Sequence, residues 1–311
     1  MKTLFSTLLA AAAVGFSSLA WASQPLLTPA QLNSIRQNPD VRVIDIRPAK
    51  AYAVGHIPGA VSAPYGQWRG PADNPGKLPP IDTLTRLVRS LGVGADTHAV
   101  VVSSGKDSTD FGGSARVYWT LKYLGLTNLS ILNGGLKAWA DAGLAQDKTV
   151  PAVTATDYVA HLDGSLIATK EQVAAQVENP QTRLIDARPR KFYLGEVKAP
   201  TALVPGTIKN AVDLSNGKWF KPGTSIFVSP EKAREIAAAS LAKPANETIS
   251  FCNTGHWAAT DWFALSEIVG EKNVRLYPAS LAEWSHDPKL PMQNVPSRGR
   301  QILMKLKHFF S

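Results

Sequence analysis

The sequence predicts an α/β protein built from two copies of one domain, each a mostly parallel sheet flanked by helices. Two observations carry that prediction. Thr28 to Tyr52 and Thr169 to Tyr193 match at a constant offset of 141, with 11 of 25 positions identical, among them Gln31/Gln172, Asn38/Asn179, Asp45/Asp186, Arg47/Arg188 and Tyr52/Tyr193. Identity at that density marks a duplication. Within each copy, strand-like and helix-like segments alternate, the pattern of βα units laid side by side in one sheet.

The elements follow in order. Thr-x-x-Gln at Thr28 and at Thr169 is a capping box that opens a helix, and Asn-Pro closes it. The apolar runs Val41 to Ile46 and Leu184 to Ala187 read as short buried strands that end in Asp-x-Arg-Pro. In the first copy there follow helix Asp82 to Leu91, strand Ala99 to Ser103, helix Phe111 to Leu124, strand Leu129 to Leu132 and helix Gly135 to Ala142. Gly55 to Val61 answers Gly206 to Val212 at an offset of 151, so the second copy has gained ten residues near Gly195 to Val204. Asn128/Asn273, Leu136/Leu281 and Trp139/Trp284 then match at 145. Residues 24–144 and 165–296 are accordingly the two domains, and Ala145 to Gly164, with Pro151 and several Thr and Asp, is the linker.

The ends of the chain read differently. Lys2, the uncharged apolar run Leu4 to Leu19 and Ala20-Trp21-Ala22 form a secretory signal cut after Ala22, which predicts a periplasmic protein. The net charge of +9 falls to +8 on cleavage and is spread along the chain, which suits small anions and gives no basic block for nucleic acid. Ser297 to Ser311 is a basic, amphipathic tail of the kind that lies on membrane surfaces. The commoner use of such a tail, packing on its own domain, is the expectation here.

Cys252 is the only cysteine in 311 residues, so no intramolecular disulfide can form and the thiol stands alone. Thr248 to Phe251 reads as a strand and Ala258 to Val269 as a helix stopped by Gly270, which puts Cys252 at a strand end facing a helix N-terminus. Ligands of such sheets sit beyond the carboxyl ends of the strands. The thiolate is the nucleophile, and a helix dipole worth about 0.3 to 1 kcal/mol is too weak to secure it alone. Loop amides converging on the sulfur would add the rest, and Gly255 makes such a nest sterically easier.

The hexad Cys252-Asn-Thr-Gly-His-Trp257 excludes several thiol chemistries. A dithiol redox site needs a second cysteine where Gly255 stands. A Cys-x5-Arg phosphatase loop needs arginine where Ala258 stands. A zinc site needs several close ligands, and only His256 is near, so no metal and no cofactor are expected. A cysteine hydrolase using a distant histidine stays open. His256 either lines the loop and donates to a ligand or is a solvated loop histidine.

These residues resemble the tandem-domain rhodaneses, sulfurtransferases of the thiosulfate and 3-mercaptopyruvate type. The first copy carries the resemblance in Ile44-Asp-Ile-Arg-Pro, Gly55-His-Ile-Pro-Gly-Ala and Leu132-Asn-Gly-Gly-Leu-Lys-Ala-Trp139. The second carries it in Ile185-Asp-Ala-Arg-Pro, the Cys252 hexad and Tyr277-Pro-Ala-Ser-Leu-Ala-Glu-Trp284. The resemblance implies two tandem rhodanese-like domains and a ping-pong reaction. In it, Cys252 takes a sulfane sulfur from a small anionic donor as a persulfide and hands it to cyanide or a thiol. It further implies that Arg188 holds the donor, with an ion pair to Asp186 as its other reading, that Asp186 is structural support, and that the backbone of Asn253, Thr254, Gly255, His256 and Trp257 cradles the persulfide. Matching at an offset of 148 puts Ser104 opposite Cys252, so the first domain is expected to be inert, with Arg47 a relic or a partner of Asp45. The hexad fits neither the Arg- and Lys-bearing loops of thiosulfate enzymes nor the Cys-Gly-Ser-Gly-Val-Thr loops of mercaptopyruvate enzymes. Thiosulfate is the expected donor, from the export signal and the absence of the latter pattern.

Overall fold

A computed structural model describes residues 24–300 apart from 242 and 298. The signal segment and residues 301–311 of the basic tail lie outside the described residues. The first half runs β1 (Leu26–Leu27), α1 (Pro29–Ile35), β2 (Val41–Asp45), α2 (Ala49–Val54), β3 (Val61–Ser62), α3 (Ile81–Ser90), β4 (His98–Val102), α4 (Ser108–Tyr123), β5 (Leu129–Leu132) and α5 (Gly135–Asp141). The second runs α6 (Lys170–Gln176), β6 (Thr182–Asp186), α7 (Arg190–Tyr193), β7 (Thr207–Ile208), β8 (Val212–Asp213), α8 (Pro230–Ser240), β9 (Glu247–Phe251), α9 (Trp257–Phe263), β10 (Val274–Leu276), α10 (Leu281–Trp284) and β11 (Met292–Gln293).

Both sheets are parallel and share one order. The first is β1-β5-β4-β2-β3 and the second β10-β9-β6-β8, with an edge bridge from Ile167 to Leu276 where the first copy has the β1–β5 pair. Both predicted capping boxes form, Thr28 with Gln31 and Thr169 with Gln172. The predicted helix Ala258 to Val269 is α9 followed by a π-helical turn, Ala264–Val269, and it ends at Gly270 with φ +84°. The antiparallel β7–β11 pair had no clear signal, because two-residue strands are too short to show a period.

The segment proposed as a linker is strapped to the first domain. Asp147 and His56 exchange backbone hydrogen bonds of 2.8 and 2.9 Å, Thr156 Oγ1 donates to Val93 O, and the Tyr158 hydroxyl donates to Leu124 O.

The halves meet through α4 and α9. All of α4 from Phe111 to Leu121 is buried, which explains why its sequence shows no polar face. Phe111 packs edge-on against Phe220 at 5.1 Å and Phe263 at 5.7 Å, and Tyr118 against Phe263 at 5.1 Å, so the aromatic core runs across both domains. Each such pair adds about 0.5–1.5 kcal/mol beyond area burial.

Glycines let this interface close. A Cβ on Gly112 would fall 2.8 Å from His256 Nε2 and 3.1 Å from His256 O. Gly112→Ala should therefore lower stability to denaturant by about 1–3 kcal/mol, the usual cost of overpacking. A fluorescence-monitored urea titration reads this directly, and an unchanged midpoint would show that the interface yields.

Candidate active site

Cys252 follows β9, the strand between β6 and β10, and heads the loop into α9. It is 1% exposed. Two loop carbonyls meet the first domain, where Arg69 Nη2 donates to Thr254 O at 2.8 Å and Arg116 Nη1 donates to Gly255 O at 3.2 Å, and two meet α10 of their own domain, where Leu281 N and Ala282 N donate to Cys252 O and Asn253 O at 3.1 and 2.9 Å. The amides of Asn253, Thr254 and His256 meet no acceptor among the described residues. Peptides that turn their oxygens outward leave their N–H groups free for an anion, the geometry of a nest. Gly255, at φ +66°, has Arg116 Nη1 and Pro278 O 2.5 Å from where a Cβ would be, so no side chain fits there.

A residue absent from the sequence expectations fixes the head of the loop. The fully buried Ser280 Oγ accepts the N–H groups of Cys252 (3.1 Å) and Gly255 (3.2 Å) and donates to Tyr277 O (2.8 Å). Its backbone lies at φ 54°, ψ −150°, a region that is essentially glycine's and costs about 1–3 kcal/mol for other residues. At the offset of 145 its counterpart is Gly135, at φ +59°. The thiol-bearing copy thus keeps a strained serine where the other copy keeps a glycine.

His256 stands between the domains. Its Nε2 lies 2.6 Å from Thr109 O, which only accepts, so Nε2 carries the proton and Nδ1 accepts from the Tyr65 hydroxyl at 2.8 Å. Burial first, and then the Arg69 charge, push its pKa down to about 4, leaving a neutral ring at pH 7. Trp257 reaches Thr109 Oγ1 with its Nε1 at 3.3 Å and packs on Phe192 with ring centroids 5.9 Å apart.

Two sequence expectations need correction. Arg188 does not offer a free fork to a donor. It is 2% exposed, and its Nε and Nη2 bind the Asp186 carboxylate at 2.8 and 2.6 Å; Nη2 also donates to Gly206 O and Nη1 to Asn253 Oδ1 at 3.3 Å. The first copy repeats this pattern in Arg47, Asp45 and Gly55 O, without a cysteine nearby to serve, so the pair is architecture. The residue opposite Cys252 is Ser103 and not Ser104. Ile46 N and Ala187 N bond Val102 O and Phe251 O, and Leu136 N and Leu281 N bond Ser103 O and Cys252 O. These paired bonds set the offset at 149. The earlier register slipped because a strand of similar apolar residues aligns almost equally well one position away. The position still holds a serine, which cannot carry a persulfide.

Tyr65, Arg69, Thr109, Arg116 and Ser280 escaped the sequence reading. Ser280 alone left a trace there, because the offset of 145 sets it against a glycine. The other four act across the domain interface, which no local pattern reports.

A duplicated parallel-sheet domain with one thiol on a strand-end loop of the second copy defines the class, and the rhodanese-like domain family matches residues 28–142 and again 169–287. The chain belongs to that family. It is 31% identical over 290 residues to the "Probable 3-mercaptopyruvate sulfurtransferase" of Pseudomonas aeruginosa, covering 87% of this chain and 98% of that one. The thiosulfate sulfurtransferase of the same organism is 28% identical, covering 86% and 96%, and that of Bos taurus 29% identical, covering 81% and 84%. Among solved structures, the 3-mercaptopyruvate enzyme SseA of Escherichia coli superposes with a TM-score of 0.73 at 23% identity, covering 83% of this chain and 99% of that one. EanB in complex with ergothioneine superposes at 0.76 and 23% identity, covering 88% and 71%. Both share the fold.

Two measurements test the site. Ser280→Ala removes the shared acceptor and keeps the strain, so it should cost about 1–3 kcal/mol of stability, whereas Ser280→Gly relieves the backbone and should recover much of that. Sulfur transfer should fall at least tenfold in both, because the Cys252 and Gly255 amides lose their anchor. Full activity in Ser280→Gly would remove the hydroxyl from the mechanism. The second measurement is pH-dependent stability. A histidine whose folded pKa is depressed binds fewer protons folded than unfolded, so stability is lost as pH falls from about 6.5 toward 4. Melting curves across that window should show the loss, and His256→Gln should flatten it.

Proposed function

We propose that the protein is an exported sulfurtransferase that moves the sulfane sulfur of thiosulfate to cyanide or a thiol through a persulfide on Cys252. The observation that carries this reading is the lone thiol on a loop whose Asn253, Thr254 and His256 amides are left free, at the position where the sister domain has Ser103. Family membership and the names of the relatives support the reaction class.

In the first half-reaction the Cys252 thiolate attacks the outer sulfur of thiosulfate. A sulfur–sulfur bond forms to the enzyme, the donor's sulfur–sulfur bond breaks, and sulfite leaves with the electron pair. In the second half, the carbon of cyanide attacks the terminal persulfide sulfur, thiocyanate departs and the thiolate is restored. The loop amides of Asn253, Thr254 and His256 hold the negative sulfur throughout, so little reorganisation accompanies the transfer. The Ala20-Trp21-Ala22 cleavage pattern supports a periplasmic site of action.

Two alternatives have an observation behind them. The relative at 31% identity carries the mercaptopyruvate name, which supports that donor. The burial of Cys252 to 1% exposure supports a persulfide carrier that loads once and does not turn over. One paired experiment separates all three. Thiocyanate formation is measured with thiosulfate and with 3-mercaptopyruvate, for the wild type and Cys252→Ser, alongside intact mass after donor exposure. The proposal expects multiple turnovers with thiosulfate, at least a thousandfold loss in Cys252→Ser, and one sulfur added to the wild-type mass. Turnover confined to mercaptopyruvate changes the donor, and mass gain without turnover makes the protein a carrier.

A further inference from the structure

We propose that Arg69 and Arg116, both from the domain without the thiol, form the oxyanion subsite that holds the charged end of the sulfur donor. The inference rests on the sulfurtransferase reading and supplies the cation that Arg188 does not.

Three arginines are buried in the described structure: Arg47, Arg116 and Arg188. Arg47 and Arg188 each grip an aspartate, Asp45 and Asp186. Arg116 is fully buried and has no carboxylate within ion-pair distance among the described residues; its Nη1 and Nη2 serve the carbonyls of Gly255 and Gly76, and its Nε is buried without a partner. Arg69 is half-buried and likewise has no carboxylate partner among the described residues. Its Nη2 serves Thr254 O, its guanidinium lies over the Tyr65 ring at 5.2 Å, and its Nη1 is buried without a partner.

Two cations on one six-residue loop, with two orphaned N–H-bearing atoms and no counter-ion, are unfavourable unless an anion joins them. Burial first, and then the Arg69 charge, push the pKa of Arg116 down to about 9, so it stays cationic at neutral pH while repelled by its neighbour. His256 is neutral and adds no charge. Guanidinium forks fit oxyanions of the sulfonate and sulfite type better than a point charge does. The thiolate and a dianionic donor carry the same total charge as the persulfide and sulfite they become. The arginines therefore act by bringing like charges together, an effect expressed in donor affinity more than in turnover.

The test uses the full chain carrying Cys252→Ser, which binds anions without consuming them, titrated calorimetrically with inorganic thiosulfate and with inorganic sulfite. Both should bind. Adding Arg69→Met, which keeps the apolar stem, should weaken both at least tenfold, and Arg69→Lys should recover part of the loss. In the Cys252-bearing enzyme, Arg69→Met should raise KM for thiosulfate at least tenfold and lower kcat by a smaller factor. Discharge of a preloaded persulfide by cyanide should slow by a smaller factor than loading from thiosulfate does. Equal anion affinity with and without Arg69→Met overturns the proposal, as does a parent chain that binds neither anion. If Arg69→Met does not fold, Arg69→Lys decides: undiminished binding overturns it and a threefold or greater loss supports it. Anion binding that depends on Arg69 in a wild type that turns over no donor would keep the subsite and discard the sulfurtransferase reading.

Discussion

The Cys252 loop depends on one constraint: the carbonyl oxygens of Thr254 and Gly255 must find donors, and the other domain supplies them. A buried carbonyl without a partner is as costly as a lost hydrogen bond. Arg69 and Arg116 meet that need from the far side of the interface, and in doing so they set which way the loop peptides turn. In a trans peptide the N–H points opposite its C=O, so the Arg116 bond to Gly255 O sets the His256 amide, while the Asn253 and Thr254 amides are set by Leu281 N and Ala282 N, which hold the Cys252 and Asn253 oxygens. Ser280 fixes the head of the loop and the Tyr65–His256–Thr109 chain fixes its end. The loop's conformation is thus a joint product of docking and of its own domain's α10.

The duplication lets the molecule serve as its own control. Features found in both halves belong to the fold: the capping boxes, the parallel strand order, and the arginine that ties Asp45 or Asp186 to a glycine carbonyl after the next turn. Features found in one half belong to the chemistry. Serine at 103 stands where the second copy has Cys252, and glycine at 135 is the unstrained version of Ser280. The second copy carries backbone strain where its function is, in line with the general tendency of active sites to hold unfavourable conformations in place through their surroundings.

Most of the fold was legible because it is repetitive and periodic. Thr28 and Thr169 announced their helices, the apolar runs at 41 and 184 announced their strands, and β5 falls on Leu129 to Leu132 as read. Cys252 was legible because it is unique and sits between a strand and a helix. Arg188 takes the ion-pair reading that its sequence left open, because a motif names a residue and not its partners: the same Asp-x-Arg letters describe a free fork and a closed ion pair equally well. Ser104 was misread for Ser103 because alternating apolar strands carry little register information until their hydrogen bonds are seen. Arg69 and Arg116 were illegible in principle, since their meaning lies in residues 139 or more positions away.

The seating of α4 against α9 has a consequence for how such a protein diversifies. The Cys252 loop is confined by tight packing at Gly255 and by the strained Ser280 beneath it. The half without the thiol meets the loop carbonyls through two side chains, Arg69 and Arg116. A change of those two side chains alters what meets the loop while the loop's own sequence stays as it is, a separation that a single-domain protein of this fold would lack.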